Sequence, residues 1–412
     1  MKNYSLLLFA LISLLSALSS PLLAQRVKVG AEILLEKHLD LLKGKQVGII
    51  CNHTSILPNG VHLVDTLLKR GVAITALFSP EHGIRGAVAA GETVNDVIDQ
   101  KTGLPIFSLY GKTLKPDIEM LRNVNVLVFD LQDVGARFYT YASTMAFAME
   151  AGAEFDKKFI VLDRPNPING NDIEGPVLDM TLTSFFGIFP IPVRHGVTLG
   201  ELAKMIVGEG YINPSTVDLT VIPMEGWKRS MWYDETGLPW VSPSPNMKTL
   251  ATATVYPGTC LFEATNISEG RGTIKPFEYI GAPGLKAERL VSKLKSYNLP
   301  GVHFEAIEFT PKTDSIAAPN PKLKNKRCSG VYVKVTDRGK FKPVLTGVMM
   351  FAAIRELHPR KFQLHQGRLD HLIGDTIVGE KILKGKVTKD VLNIYQSQIE
   401  EYKKIRAKYL MY

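Results

Sequence analysis

Short apolar runs that each end in a polar or charged residue, separated by stretches with helical spacing, restrict this chain to very few folds. They fall at 46–51 (QVGIIC), 73–79 (AITALFS), 104–109 (LPIFSL), 124–129 (VNVLVF) and 159–162 (FIVL). In the second run Ile74, Ala76 and Phe78 alternate along one face, whereas 124–129 is almost wholly apolar, the pattern of a strand covered on both sides. Between the runs lie a helical pattern with Val61, Val64, Leu67 and Leu68 on one face, short helices expected at 93–98 and after Pro116, and a small-residue helix at 140–151. Strands alternating with helices at this spacing imply parallel βαβ units with right-handed crossovers. The expected class is therefore α/β, a Rossmann-like, doubly wound, mostly parallel sheet whose strand ends share one edge.

In such sheets ligands bind just outside the carboxyl ends of the strands. The residues after each run are accordingly the candidate site. Pro80 breaks the second run into a loop with Glu81, His82, Arg85 and Glu92, flexed by Gly83 and Gly86. Asp130, Asp133, Arg137, Tyr139 and Tyr141 follow the fourth run, and Asp163, Arg164 and Asn166 follow the fifth. Arg194 and His195 follow a further strand expected at 185–193, and the loop NISEGRGT adds Asn266, Glu269 and Arg271. Close carboxylates held at different pKa values are the minimum equipment for glycoside hydrolysis. Any one of these residues would also serve as a helix cap or an ion-pair partner, and it is their convergence on one edge that favours a site. Trp227, Trp232, Trp240 and Tyr256 offer flat faces for sugar rings, or anchors for the loops that carry them.

Several chemistries are excluded. The turn after the first run is CNHTS, without G-x-G-x-x-G, and neither a phosphate-binding G-x-x-x-x-G-K-[ST] nor a G-x-S-x-G elbow occurs. No H-E-x-x-H or paired Cys/His spacing points to a metal, so no cofactor is expected. Cys51, Cys260 and Cys328 cannot all pair with one another, and read as small buried hydrophobes with room for one disulfide. The formal net charge of +9 suits an anionic polymer, a cell-wall glycan or a nucleic acid.

Lys2, the apolar run 6–18 and the small residues up to Ala24 have the order of a signal peptide, and the run is too short to span a bilayer. Residues 1–24 are read as that peptide, with the remainder exported to the periplasm or beyond. Residues 25–284 form the Rossmann-like domain, in which Thr198 and Glu201 make a capping box. Residues 285–412 form a smaller α+β domain that walls the cleft, with helices at 287–294 and 344–357, strands at 302–309 and 331–335, and a terminal helix from 389. The charged stretch 312–327 has little pattern and is expected to be mobile.

Six motifs then stand in order: ALFSPEHGIRG, SLYGKT, FDLQDVGARFYTY, VLDRPNPINGNDIEGP, SPSPNM with Asn246, and TNISEGRGTIKPFEYIGAP. Together they resemble the NamZ-type exo-β-N-acetylmuramidases, a family of peptidoglycan-trimming enzymes, over nearly the whole chain after residue 24. The resemblance implies a cleft between two domains, release of terminal N-acetylmuramic acid from non-reducing ends, and a catalytic glutamate in PEHG, here Glu81. It leaves the second group open among Glu92, Asp130, Asp133, Asp163 and the tyrosines. It implies muramyl glycans as partners, with no nucleic acid and no stable membrane insertion. Muramic acid carries a lactyl carboxylate, which a guanidinium reads through two parallel hydrogen bonds. Arg85, Arg137, Arg164, Arg194 and Arg271 are the candidates, Arg137 and Arg271 first. A non-catalytic sugar-binding protein of the envelope is the rival reading.

Overall fold

A strand with no exposed position must be covered on both faces, and two neighbouring strands here have almost none. All five positions of Val126–Asp130 are buried, as are all but the first of Gln46–Cys51. The structure is a computed structural model that describes residues 26–84, 97–214 and 216–412. Its first nine strands are β1 (Gln46–Cys51), β2 (Ala73–Ser79), β3 (Val97–Ile98), β4 (Pro105–Ser108), β5 (Val126–Asp130), β6 (Lys158–Leu162), β7 (Glu174–Val177), β8 (Pro192–Arg194) and β9 (Leu219–Ile222). Seven of them form one sheet in the order β3-β4-β2-β1-β5-β6-β9. All its pairings are parallel except that of the edge strand β3.

The chain winds outward from β1 through β2 to β4, then returns to place β5 on the other side of β1 and winds on through β6 to β9. This is doubly wound topology, and its switch point lies between β1 and β5. The register pairs Ile50 with Phe78 and Cys51 with Asp130, so the loops after β1, β2 and β5 leave the sheet at one level. The helices Gly30–Lys37 and Leu63–Lys69 cover one face, packing on Val47, Ile49, Val126, Val128 and Ile160. The helices Tyr141–Glu154 and Leu199–Gly208 cover the other, against Leu127, Phe129, Phe159 and Val161.

That second core continues without a break into the C-terminal unit. There β10 (Tyr279–Ala282), β11 (Val302–Phe309) and β12 (Cys328–Val335) form an antiparallel sheet in the order β10-β12-β11. Its edge strand β10 lies upstream of residue 285, where sequence alone starts the second unit. The helix Leu250–Thr259, which the sequence reading places in the first domain, packs on the helix Pro343–Leu357 of this unit. The helix Gln396–Ala407 then returns to the first unit, where the Tyr402 hydroxyl donates to the His195 carbonyl at 2.8 Å.

Local expectations fail where long-range contacts decide. Val97 and Ile98 form an edge strand on β4 rather than the end of a helix, while 93–96 lie outside the described residues. The stretch after Pro116 is a chain of turns, begun by the Met120 amide donating to Asp117 Oδ1. Of the strand expected at 185–193 only the end is extended, as β8, paired with β7. The segment 312–327 is pinned: Lys322 Nζ donates to the carbonyls of Phe262, Thr265 and Ile267 at 2.8–3.0 Å and pairs with Glu269. The three cysteines are buried and free. No helix among the described residues is long and apolar enough to cross a membrane.

The crossing of the helices Leu250–Thr259 and Pro343–Leu357 rests on two glycines. A Cβ on Gly258 would overlap the Pro343 carbonyl oxygen, and one on Gly347 would overlap the Gly258 carbonyl. Both clashes are with backbone, which no rotamer change relieves. Gly347→Ala is expected to destabilise the protein by about 1–3 kcal/mol or more, seen as a lower urea midpoint at unchanged slope. An unchanged midpoint would show that the two helices can separate without loss of packing.

Candidate active site

After Ser79 the chain turns tightly, with the Gly83 amide donating to the Pro80 carbonyl at 3.1 Å. His82 takes the third position of this turn with a φ of 76°. A type II turn demands that left-handed conformation there and normally assigns it to Gly or Asn. A bulky residue in it stores about 1–3 kcal/mol, the kind of strain that persists where the surrounding structure enforces it. Glu81 holds the second position, half-buried. Its Oε2 accepts the Thr140 hydroxyl at 2.8 Å. Thr140 is the N-cap residue of the helix Tyr141–Glu154, yet its side chain does not cap that helix. The hydroxyl holds Glu81 instead.

The tyrosines beside Thr140 line the same place. Asn52 Nδ2 donates to the Tyr141 hydroxyl at 2.8 Å, and that hydroxyl donates to the Pro243 carbonyl at 2.6 Å. Tyr139 packs edge-on against Tyr141 with centroids 4.8 Å apart. Burial pushes its phenol well above the usual tyrosine range; the Glu81 and Asp133 charges act in the same direction and neighbouring Ser244 opposes them. Asp133 accepts the Gly135 amide at Oδ2, 2.7 Å, with His195 Nε2 3.6 Å from the same oxygen.

His53 completes the group, and sequence reasoning passed over it. Its Nε2 lies 2.6 Å from the Ser242 carbonyl. A carbonyl only accepts, so Nε2 carries the proton and Nδ1 is a bare acceptor. Burial lowers the His53 pKa against the opposing hydrogen bond to Ser242, and His82 and His62 add to the lowering, which favours the neutral ring. The signal in the sequence is its place in the loop CNHTS directly after the first strand.

Among the described residues three buried acceptors here have no hydrogen-bond partner: His53 Nδ1, Gln132 Oε1 and Asp133 Oδ1. The Gln132 amide orientation is fixed, because its Nε2 donates to the carbonyls of Asp133 and Pro165. Unpaired buried polar atoms are costly and call for a function. A set this rich in acceptors fits a ligand rich in O–H and N–H donors. Among the described residues no three His, Cys, Asp or Glu side chains could hold a metal ion together.

Other candidates serve the scaffold. Arg164 forms a bidentate pair with Asp130, at 2.5 and 3.0 Å. Arg137, fully buried, donates to the carbonyls of Pro176, Ile191 and Leu372, and burial lowers its pKa to about 9. Arg194 binds the Ile168 carbonyl and Asp172. Arg271 is held by Glu263 at 2.7 Å, near Glu269 and over Phe277. The expectation that Arg137 or Arg271 reads a ligand carboxylate thus meets guanidiniums already committed to internal carbonyls and carboxylates. Asn166 binds the Val197 carbonyl and Asn266 the Lys361 carbonyl. Trp227, Trp232 and Tyr256 are buried in packing; Trp232 lies between Arg194 and Arg338. Arg85 and Glu92 lie outside the described residues.

The family model for the N-terminal part of exo-beta-N-acetylmuramidase NamZ matches residues 47–251, and that for its C-terminal part matches 254–412. The peptidoglycan beta-N-acetylmuramidase NamZ of Bacillus subtilis (strain 168) is 48% identical over 389 residues, 94% of this chain and 92% of that protein. Crystal structures of two DUF1343 family proteins from Bacteroides fragilis NCTC 9343, each 35% identical, cover 94% of this chain and 99% of theirs, with TM-scores of 0.86 and 0.75.

Asp163 gives the sharpest test of a scaffold role. It accepts the hydroxyls of Thr198 and Tyr412 at 2.7 Å and the Gly200 amide at 2.8 Å, tying the start of the helix Leu199–Gly208 to Tyr412. Burial still pushes its carboxyl up to about 7. An unfolded chain releases this proton near pH ~4, so between about pH 4 and 7 the native state binds the extra proton. Stability from this group is then greatest below about pH 4 and falls as pH rises to about 7. Asp163→Asn cannot ionise. Whatever its offset, its unfolding free energy relative to the parent should climb by roughly 2–4 kcal/mol across that window in urea titrations. A pH-independent difference would mean that the buried carboxylate ionises without penalty.

Proposed function

This chain belongs to the exo-β-N-acetylmuramidase NamZ family, and from that premise we propose that it is a glycoside hydrolase releasing terminal N-acetylmuramic acid from the non-reducing end of peptidoglycan-derived glycans. The observation that carries the reading is the meeting of Glu81, held by Thr140, with a group of unpaired acceptors at the switch point of the sheet. Sugar hydroxyls and an acetamide N–H are the donors such acceptors need.

On this reading Glu81 is the general acid that protonates the glycosidic oxygen as the bond to the leaving sugar breaks. The Thr140 hydroxyl fixes one carboxyl oxygen and so sets the plane from which the proton is delivered. Asp133 is the second group, stabilising positive charge at the sugar carbon or activating water. Its Oδ2 is occupied by the Gly135 amide while Oδ1 is unpaired. Tyr139 stands beside both carboxylates. Since Arg137, Arg164, Arg194 and Arg271 are internally engaged, the arginine left to read the lactyl carboxylate is Arg85 of the PEHGIRG motif. The reading includes export: the apolar run 6–18 and the small residues to Ala24 support cleavage near Gln25, which brings the enzyme to the cell wall.

Glu81→Gln keeps the size of the side chain and removes the proton. It should lower turnover of a natural muramyl disaccharide by roughly 10²–10⁴-fold with little change in binding. The loss should shrink on a nitrophenyl muramide, whose leaving group needs no protonation. Wild-type turnover of the disaccharide by Glu81→Gln would sink the assignment. Arg85→Ala should narrow the preference for muramides over N-acetylglucosaminides by about 10–100-fold. A preference that survives intact would exclude Arg85 as the lactyl reader.

A further inference from the structure

Two of the sequence motifs reach beyond the catalytic group: SPSPNM at 242–247, and the glycine-rich stretch at 269–273. They converge on a cavity of about 420 Å³ lined by Asn246, Lys248, Thr273, Tyr279, Phe309 and Lys312, among others. Its wall is built to stay in place. Asp314 Oδ1 accepts the amides of Ile316 and Ala317, the Ala317 carbonyl accepts Asn246 Nδ2, and Lys322 clamps the far end of the same segment. The aromatic rings of Tyr279 and Phe309 lie 5.7 Å apart, backed by Tyr332. Lys248 and Lys312 bring two positive charges against one lining carboxylate, Asp314, whose Oδ1 is already taken by the Ile316 and Ala317 amides. Asn246, 2% exposed, contributes its unpaired Oδ1.

One strip of chain joins this cavity to the catalytic group. The Ser242 carbonyl takes the His53 N–H, the Pro243 carbonyl takes the Tyr141 hydroxyl, Ser244 stands beside Tyr139, and Asn246 lines the cavity. From Ser244 to Asn246 the backbone spans at most about 7 Å. An enzyme that removes a terminal unit holds that unit at the closed end of its site, so the rest of the chain must leave along the open side. The inner end here is the sheet edge with His53, Gln132 and Asp133, and the strip leads outward from it.

We propose that this cavity is the leaving-group subsite, which binds the sugars beyond the scissile bond, and that its lysines select a glycan carrying further carboxylates. The proposal rests on the muramidase reading. Aromatic faces suit the C–H faces of a pyranose, the Asn246 carbonyl oxygen accepts a hydroxyl or acetamide N–H, and Lys248 and Lys312 attract the lactyl carboxylate of a later muramic acid.

The test compares an unbranched tetrasaccharide of alternating N-acetylmuramic acid and N-acetylglucosamine with a nitrophenyl muramide, which has no sugar on the leaving side. For Lys248→Ser/Lys312→Ser, kcat/KM on the tetrasaccharide should fall about tenfold more than on the nitrophenyl muramide, and the difference should shrink as salt is raised. Asn246→Ser should give the same selective loss without the salt dependence. Equal losses on both substrates, or none on the tetrasaccharide, would overturn the subsite. If the wild-type enzyme releases muramic acid from neither substrate, the muramidase reading fails first and takes the subsite with it, an outcome distinct from a wild type active on both.

Discussion

The pairing of β1 with β5 is the constraint on which the rest depends. Both strands are buried along nearly their whole length, and their register sets Cys51 level with Asp130. Because the winding reverses between them, the loops after β1 and β5 diverge instead of packing over one another, and a crevice opens at their ends. The loop after β2 reaches the same level through the pairing of Ile50 with Phe78. A slip in this register would move His53, Glu81 and Asp133 apart, however well each local loop were formed.

Polar chain is expensive to bury, and the loops after β5 and β6 bury much of it. The protein meets that demand with guanidiniums. Arg137 satisfies three carbonyls, one of them Leu372 in the C-terminal unit, and Arg164 neutralises Asp130 at the root of the site. Arginine suits this work, since its fixed fork supplies several donors at once and its charge survives burial. The same loops that carry the site therefore carry their own braces, and motif arginines near a ligand need not touch it.

The C-terminal unit shares a core with the sheet, so it positions the cleft wall rather than hanging from it. The glycine crossing at Gly258 and Gly347 draws two helices to backbone contact. The segment 312–327, held by Lys322 and Asn246, faces the strip that leads out from Tyr139. Tyr402 and Tyr412 return from the end of the chain to the His195 carbonyl and to Asp163, linking the last elements to the loops after β6 and β8.

The sequence by itself determined the α/β class, the parallel core strands, the Thr198 capping box and the break after the second strand that sets Glu81 in a loop, because each is a local pattern with a local cause. Period and burial decide a strand, a side chain three residues before an amide decides a cap, and proline after an apolar run decides where a strand ends. The edge strand at Val97 and Ile98, the assignment of Tyr279–Ala282 to the second sheet and the pinning of 312–327 were decided only in three dimensions, since each depends on partners distant in sequence. So was the division of the polar residues. Nothing in the motif strings separates Arg137, whose two terminal nitrogens are taken up by internal carbonyls, from His53, whose Nδ1 has no partner among the described residues. Which groups are already satisfied is a property of the assembled hydrogen-bond network, and the tertiary structure alone settles it.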